Sequence, residues 1–311
     1  MSSLYGGLHS GFRRLPPSWR TALKRALKSE GHRSSTFDGI TARKDALGKK
    51  RLDRALDDIL GTLGLDLAKA VAGKTCIDFG AGYVPTDGLA LWLMGASEVY
   101  GVDYNHIAKP REIARAVRAA DASRIARQLK TLEIDSTNRL TQLTDWAQGG
   151  NNGFPPGYRY IAPADVIASP SLVPKFDLLV STSVLEHIQP SLMIALLDAL
   201  KSRENGQAAQ IHKVDLRDHR DFEKNPYGFL DPSDKFDAEV DADSRGNGMT
   251  IHDWEALLSS HPRWNLGVGL YETGRAHLVP AAAPDAQKRV VADAVVLRSV
   301  EVGSSPPSLE T

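Results

Sequence analysis

A chain of 311 residues, 42% of them hydrophobic, can bury a sizeable core as one large domain or two small ones. Basic and acidic residues each total 38, and a formal net charge of +0 argues against a whole-protein electrostatic grip on nucleic acid. The single cysteine, Cys76, excludes an intramolecular disulfide; no apolar run approaches the ~18 residues of a membrane span, and the opening residues carry no apolar signal core, so the expected compartment is the cytoplasm.

Residues 1–44 read as a basic N-terminal arm. Arg13, Arg14, Arg20, Lys24, Arg25, Lys28 and Arg33 outnumber the acids there. Trp19–Lys28 has the pattern of a short amphipathic basic helix between Pro16-Pro17 and Gly31. Its apolar stripe of Trp19, Leu23 and Leu27 is suited to packing on the main body. Its basic face is open to peripheral contact with an anionic surface.

A main domain is expected over residues 45–300. Asp45–Val71 is helical by spacing, with Leu52, Leu56, Ile59, Leu60 and Leu63 on one stripe. Lys74–Asp103 then reads as strand, glycine turn, helix, strand, acid. The first strand runs into Gly80-Ala81-Gly82, and Glu98–Val102 delivers Asp103 to the carboxyl end of the second. Glycines at such a turn let backbone approach a ligand closely, and a carboxylate about 20 residues on can accept hydrogen bonds from both ribose hydroxyls.

Ala108–Lys130 is expected as one long crossover helix and Tyr158–Ala162 as the third strand, with Asp165 just after it. Lys175–Ser181 is a continuous apolar run, as a buried parallel strand requires. Pro190 opens a helix to about Lys201, and Gln207–Asp215 is the fifth strand. Residues 216–252 are polar and irregular, too long for an ordinary connection, and read as a functional insertion. A helix at Asp253–Ser259, strands at Trp264–Tyr271 and Ala292–Ser299, and a disordered tail at 301–311 complete the chain. This alternation predicts an α/β fold: a doubly wound, mostly parallel seven-stranded sheet of Rossmann-like type with one reversed edge strand.

Three segments together resemble the class I S-adenosylmethionine-dependent methyltransferases over roughly residues 45–300. They are Asp78-Phe-Gly-Ala-Gly82, Asp103, and Phe176-Asp-Leu-Leu-Val-Ser-Thr-Ser-Val-Leu-Glu-His-Ile188. The phrase Val184–Ile188 and the segment His212–His219 are similar to members acting on small molecules and saccharides. The resemblance implies S-adenosyl-L-methionine as cofactor and transfer of its methyl to an O or N atom of such an acceptor. It departs from the usual glycine run at Val84. It further implies that Asp78, Gly80 and Gly82 line the methionine end of the cofactor. Asp103 would hold the ribose, Tyr104 lie against adenine or ribose, Asp165 sit near the adenine amine, and Ser181 form the floor after strand four.

Other readings divide on particular residues. A nicotinamide dehydrogenase would carry a third glycine where Pro85 stands, and Pro85 should block close contact between helix and strand. Base methylation in nucleic acid would need an Asn/Asp-Pro-Pro-Tyr loop after strand four, where this chain has Ser181-Thr-Ser-Val. His212, Asp215 and His219 could suggest a metal, but His212 and Asp215 should face opposite ways on a strand, so no metal is expected. A hydroxyl acceptor needs a base of near-neutral pKa, and the candidates are His219, at the start of the insertion, and His187. A cofactor-binding scaffold without turnover, serving as a partner in a biosynthetic assembly, is the alternative function. Oligomeric state is left open.

Overall fold

The structure is a computed structural model that describes residues 51–149, 153–283 and 291–299. The expected arm at 1–44, with its Trp19–Lys28 helix, and the tail at 301–311 lie outside the described residues. The described residues all belong to one compact unit.

The seven strands are β1 Thr75–Phe79, β2 Glu98–Val102, β3 Tyr158–Ile161, β4 Phe176–Thr182, β5 Glu204–Asp215, β6 Leu266–Thr273 and β7 Ala292–Ser299. They lie in the order β3-β2-β1-β4-β5-β7-β6. β1 through β5 are mutually parallel, and β7 runs antiparallel to both β5 and β6. The one reversal therefore falls at the β6 end of the sheet. Among the described residues no α-helix joins β6 to β7, so the chain turns back rather than crossing over.

Strand side chains alternate between two cores. Cys76, Val99, Leu178, Val180 and Ile211 face one side. There they meet α1 (Leu52–Leu63), α3 (Thr86–Leu93), α4 (Pro110–Arg118), α5 (Ala122–Thr131) and α6 (Thr137–Gln148). Between α1 and β1 stands the short α2 (Leu65–Lys69). Ile77, Phe79, Leu179 and Val214 face the other side, against α7 (Pro190–Lys201) and α9 (Ile251–Ser260). Cys76 is fully buried, and burial pushes its thiol up to about 12, so it acts as a small hydrophobe.

One expectation changes. The single crossover helix over 108–130 is two helices, because the Asp121 carboxylate accepts from the Arg124 amide and starts a new one. β3 and β4 are joined without an α-helix; only the short 3-10 turn Pro170–Leu172 intervenes. The helix expected from Asp253 begins two residues earlier, at Ile251, and Asp253 is its third residue, in a capping box with Thr250. The insertion is ordered: Gly228–Leu230 is a 3-10 turn and Ala238–Arg245 is α8.

Candidate functional site

The sheet order reverses direction between β1 and β4. The first three strands step one way and the next two the other, so the crevice above their carboxyl ends is the expected binding position. Two groups of residues meet there.

The first is the glycine turn. Gly80 and Gly82 have φ of +74° and +64°, a left-handed region costly for other residues. The amides of Gly80 and Ala81 donate to the Val102 carbonyl at 2.8 and 3.3 Å, tying the turn to the end of β2. A Cβ on Gly80 would lie 2.3 Å from Val184 Cγ2, so the β4 turn closes over it. A Cβ on Gly82 would meet only the Gly80 carbonyl oxygen, at 3.9 Å, so this side of the turn is open. Asp103 accepts from the Gly82 amide at 2.8 Å and from the Asn105 amide at 2.7 Å, one bond to each carboxylate oxygen. Each oxygen retains a lone pair. Burial pushes this carboxyl above its ordinary range, while those two amides pull it down. No helix starts at Asp103, so it is a clasp on the turn and not a cap.

The other sequence-predicted cofactor residues separate. Tyr104 is 39% exposed beside Asp103, available for a flat ligand to stack on. Asp78 is 4% exposed, and its carboxylate accepts from the Gly88 amide at 3.1 Å and from the Tyr158 hydroxyl at 3.5 Å. It thus holds the start of α3 beneath the turn. Asp165 accepts from the Ala168 amide at 3.1 Å in the loop after β3. Ser181 lies inside β4, not after it, and is 1% exposed. Its hydroxyl donates to His212 Nδ1 at 2.8 Å, while His212 Nε2–H donates to Gln210 Oε1 at 3.0 Å. Burial lowers His212 to about 3 and keeps it neutral.

The expectation that Pro85 prevents close helix–strand approach is corrected. Pro85 caps α3, and Gly88, three residues on, makes the approach: a Cβ there would lie 2.5 Å from Tyr158 Cε2 and 2.7 Å from Asp78 Oδ2. What separates this chain from a dinucleotide-binding sheet is the reversed β7 inserted before β6.

The second group follows β4 and β5. Leu185–His187 form a 3-10 turn, entered through Ser183 at φ +56°. The insertion clamps this turn. Asn247 Nδ2 donates to the Leu185 and Ile188 carbonyls at 3.0 and 3.1 Å, and His187 Nδ1 donates to the Ala242 carbonyl at 3.2 Å. His219, four residues past β5, donates its amide to the Arg245 carbonyl at 3.0 Å. The Arg245 guanidinium pairs with Asp218, which is fully buried, and with Asp234 at 3.0 Å. Asp218 is therefore structural. His252 lies exposed on α9 beside Glu255.

These clamps bring Glu186, His187 and His219 together, with one donor atom from each lying within 4.8 Å of the others. The two imidazoles meet edge to face at 4.8 Å, and Phe222, 40% exposed, lies 4.9 Å from His219. Glu186 is 1% exposed, and neither carboxylate oxygen makes a hydrogen bond. The Ser183 hydroxyl and nearby backbone face it but fall short of hydrogen-bond geometry. Burial, followed by the negative charge of Asp215, pushes its carboxyl up to about 8. His219 Nε2 is likewise buried without a partner, and burial followed by His187 lowers this imidazole to about 4. The grouping His212, Asp215 and His219 does not form: His212 is held by Ser181 and Gln210, and Asp215 is bonded to Arg217. Sequence reasoning missed Glu186. The signal was the Glu-His dipeptide after β4 together with a histidine after β5.

No family model matches the chain, and no curated protein matches it. Solved structures do resemble it. A TehB-like SAM-dependent methyltransferase from Corynebacterium glutamicum is 16% identical, covering 86% of this chain and 98% of that one at a TM-score of 0.44. Magnesium protoporphyrin IX methyltransferase from Synechocystis, with bound SAH, is 15% identical, covering 79% and 81% at 0.41. TehB from Haemophilus influenzae is 13% identical at 0.36; the match covers 75% of this chain and spans 59% of that protein's length. The seven-stranded order with its reversed β7 is that of a Rossmann-like, doubly wound sheet.

Among the described residues, no helix is long and apolar enough to cross a membrane.

Proposed function

We propose that this chain is an S-adenosylmethionine-dependent methyltransferase acting on an O or N atom of a small-molecule or saccharide acceptor. The observation that carries the reading is the glycine turn clasped by Asp103 at the point where the sheet order reverses. The residues there fit the cofactor. Gly82 leaves the turn open, each Asp103 oxygen has a lone pair for a ribose hydroxyl, and the exposed Tyr104 ring can lie on the adenine. When bound, the cofactor supplies an electrophilic methyl on a positively charged sulfonium, whose loss leaves a neutral thioether.

The chain's own part is orientation. Val184 packs on Gly80 and is followed two residues later by Glu186, so an acceptor seated at the cluster lies next to the β4 turn that covers the glycines. Phe222 gives that seat an exposed aromatic wall, suited to the apolar face of a sugar or a planar molecule.

The test is calorimetric titration of S-adenosylhomocysteine into the full-length chain, with NADH in parallel. Saturable heat with the first alone is expected. Asp103→Ala should weaken it about 100-fold, the loss of two hydrogen bonds to a charged group. Absence of binding by S-adenosylhomocysteine would refute the reading.

A further inference from the structure

Among the described residues, five buried side-chain nitrogen or oxygen atoms lack a hydrogen-bond partner, and three belong to one cluster: both oxygens of Glu186 and Nε2 of His219. A buried carboxyl with neither oxygen satisfied is a costly arrangement, and folded proteins retain such groups where something else satisfies them. No cation among the described residues does so here. Arg217 is engaged with Asp215, and Arg245 with Asp218 and Asp234. The second and third donors point the same way. His187 Nδ1 must donate to the Ala242 carbonyl, since a carbonyl only accepts, so its Nε2 is the lone-pair nitrogen. Fixing one ring nitrogen on a backbone carbonyl is how proteins orient a metal-binding imidazole.

We propose that Glu186, His187 and His219 bind a divalent first-row transition ion such as Mn2+ or Zn2+, whose remaining positions take oxygen atoms of the acceptor.

Two imidazoles and one carboxylate suit such an ion better than Mg2+ or Ca2+, which favour all-oxygen sets. Donor atoms on one such ion stand about 3–3.5 Å apart, from bond lengths near 2.1 Å. The present spacing, within 4.8 Å, needs only small side-chain rotations to close. Three protein ligands leave coordination positions open, as in catalytic rather than structural sites. The exposed Ser183 and Phe222 mark the side from which an acceptor enters.

This inference rests on the proposed function for its role, and it replaces the imidazole base expected from sequence. His219 Nε2, buried without a partner beside Glu186 and His187, serves the ion as a ligand rather than the acceptor as a base. An ion on the acceptor oxygen makes its proton easier to lose. The proton passes to water, the freed oxygen pair forms the bond to the methyl carbon, and sulfur keeps the pair of the broken S–C bond.

The experiment is titration of Mn2+, and separately Zn2+, into the EDTA-treated full-length chain without cofactor, followed by calorimetry and Mn2+ electron paramagnetic resonance. One saturable site is expected, weakened at least ~10-fold in both Glu186→Gln and His219→Ala. Exposed His252→Ala should leave it unchanged. Circular dichroism and thermal midpoints verify that each variant folds. No saturable binding, or binding unaltered in Glu186→Gln and His219→Ala, overturns the site. S-adenosylhomocysteine binding on the same samples reports on the methyltransferase reading separately, because Glu186 and His219 lie outside the glycine turn.

Discussion

The two sides of the crevice treat their carboxylates in opposite ways. On the glycine-turn side, Asp103 and Asp78 accept hydrogen bonds from amides of the turn and of α3. On the β4–β5 side, Glu186 is buried as deeply and accepts none. The first arrangement is complete without a ligand and presents a preformed surface. The second is incomplete by itself, and its incompleteness indicates what it is built to receive. A crevice with one satisfied wall and one unsatisfied wall is suited to a cofactor that rests on backbone and a reactant that is drawn in by charge.

That contrast can be broken from either side, and Gly80→Ala should have the largest effect. The new methyl would stand 2.3 Å from Val184 Cγ2 at a φ of +74°. Left-handed strain and overpacking together should cost about 2–5 kcal/mol in denaturant unfolding. Adding Val184→Ala should restore about 1–3 kcal/mol, the packing share. If the double variant is no more stable than the single one, the two walls are not in contact as described.

Glu186→Met sharpens the comparison on the unsatisfied side. Replacing an unpartnered buried carboxyl by an apolar side chain of similar volume should raise stability in EDTA by about 1–4 kcal/mol while abolishing Mn2+ binding. A destabilised variant would mean that the carboxyl is satisfied after all. Asn247→Ala tests the clamp. Losing the bonds to the Leu185 and Ile188 carbonyls should cost about 1–3 kcal/mol. It should also weaken Mn2+ binding while leaving S-adenosylhomocysteine affinity unaltered, since the glycine turn makes no use of Asn247.

The smallest effect is a pH dependence from the floor between the walls. His212 titrates near 3 in the folded chain against an ordinary 6.5. Between those values the unfolded chain binds a proton that the folded chain refuses, so stability is full above about pH 6.5 and falls as the pH drops toward 3. The slope approaches about 1.4 kcal/mol per pH unit, and His212→Asn should remove it. Denaturation curves at pH 7, 6 and 5 with equal slopes in both proteins would contradict the neutral, buried assignment.

The glycine-turn wall was legible in sequence because its parts are local. Gly80, Gly82 and Asp103 lie within one strand–helix–strand unit, and β1, β2 and β4 announce themselves as short apolar runs ended by turn formers. What misled there was also local. Pro85 suggested a blocked approach, yet Gly88 supplies it one turn later. Asp78, expected at the methionine end of the cofactor, also accepts from the start of α3, a contact that sequence spacing did not suggest. The other wall was hidden because it depends on distant segments. Glu186 looks like a capping acid until residues 238–247 fold back and fix both His187 and His219. A polar insertion gives no periodicity from which that docking could be read.

The measurement that bears most directly on the account is a crystal structure of the full-length chain with S-adenosylhomocysteine and Mn2+, phased to show the ion by its anomalous signal. The nucleoside is expected along Gly80–Gly82 with its ribose on Asp103, and an anomalous peak is expected bounded by Glu186, His187 and His219. A nucleoside elsewhere on the sheet, or a crystal soaked in Mn2+ with no peak at those three side chains, would contradict it.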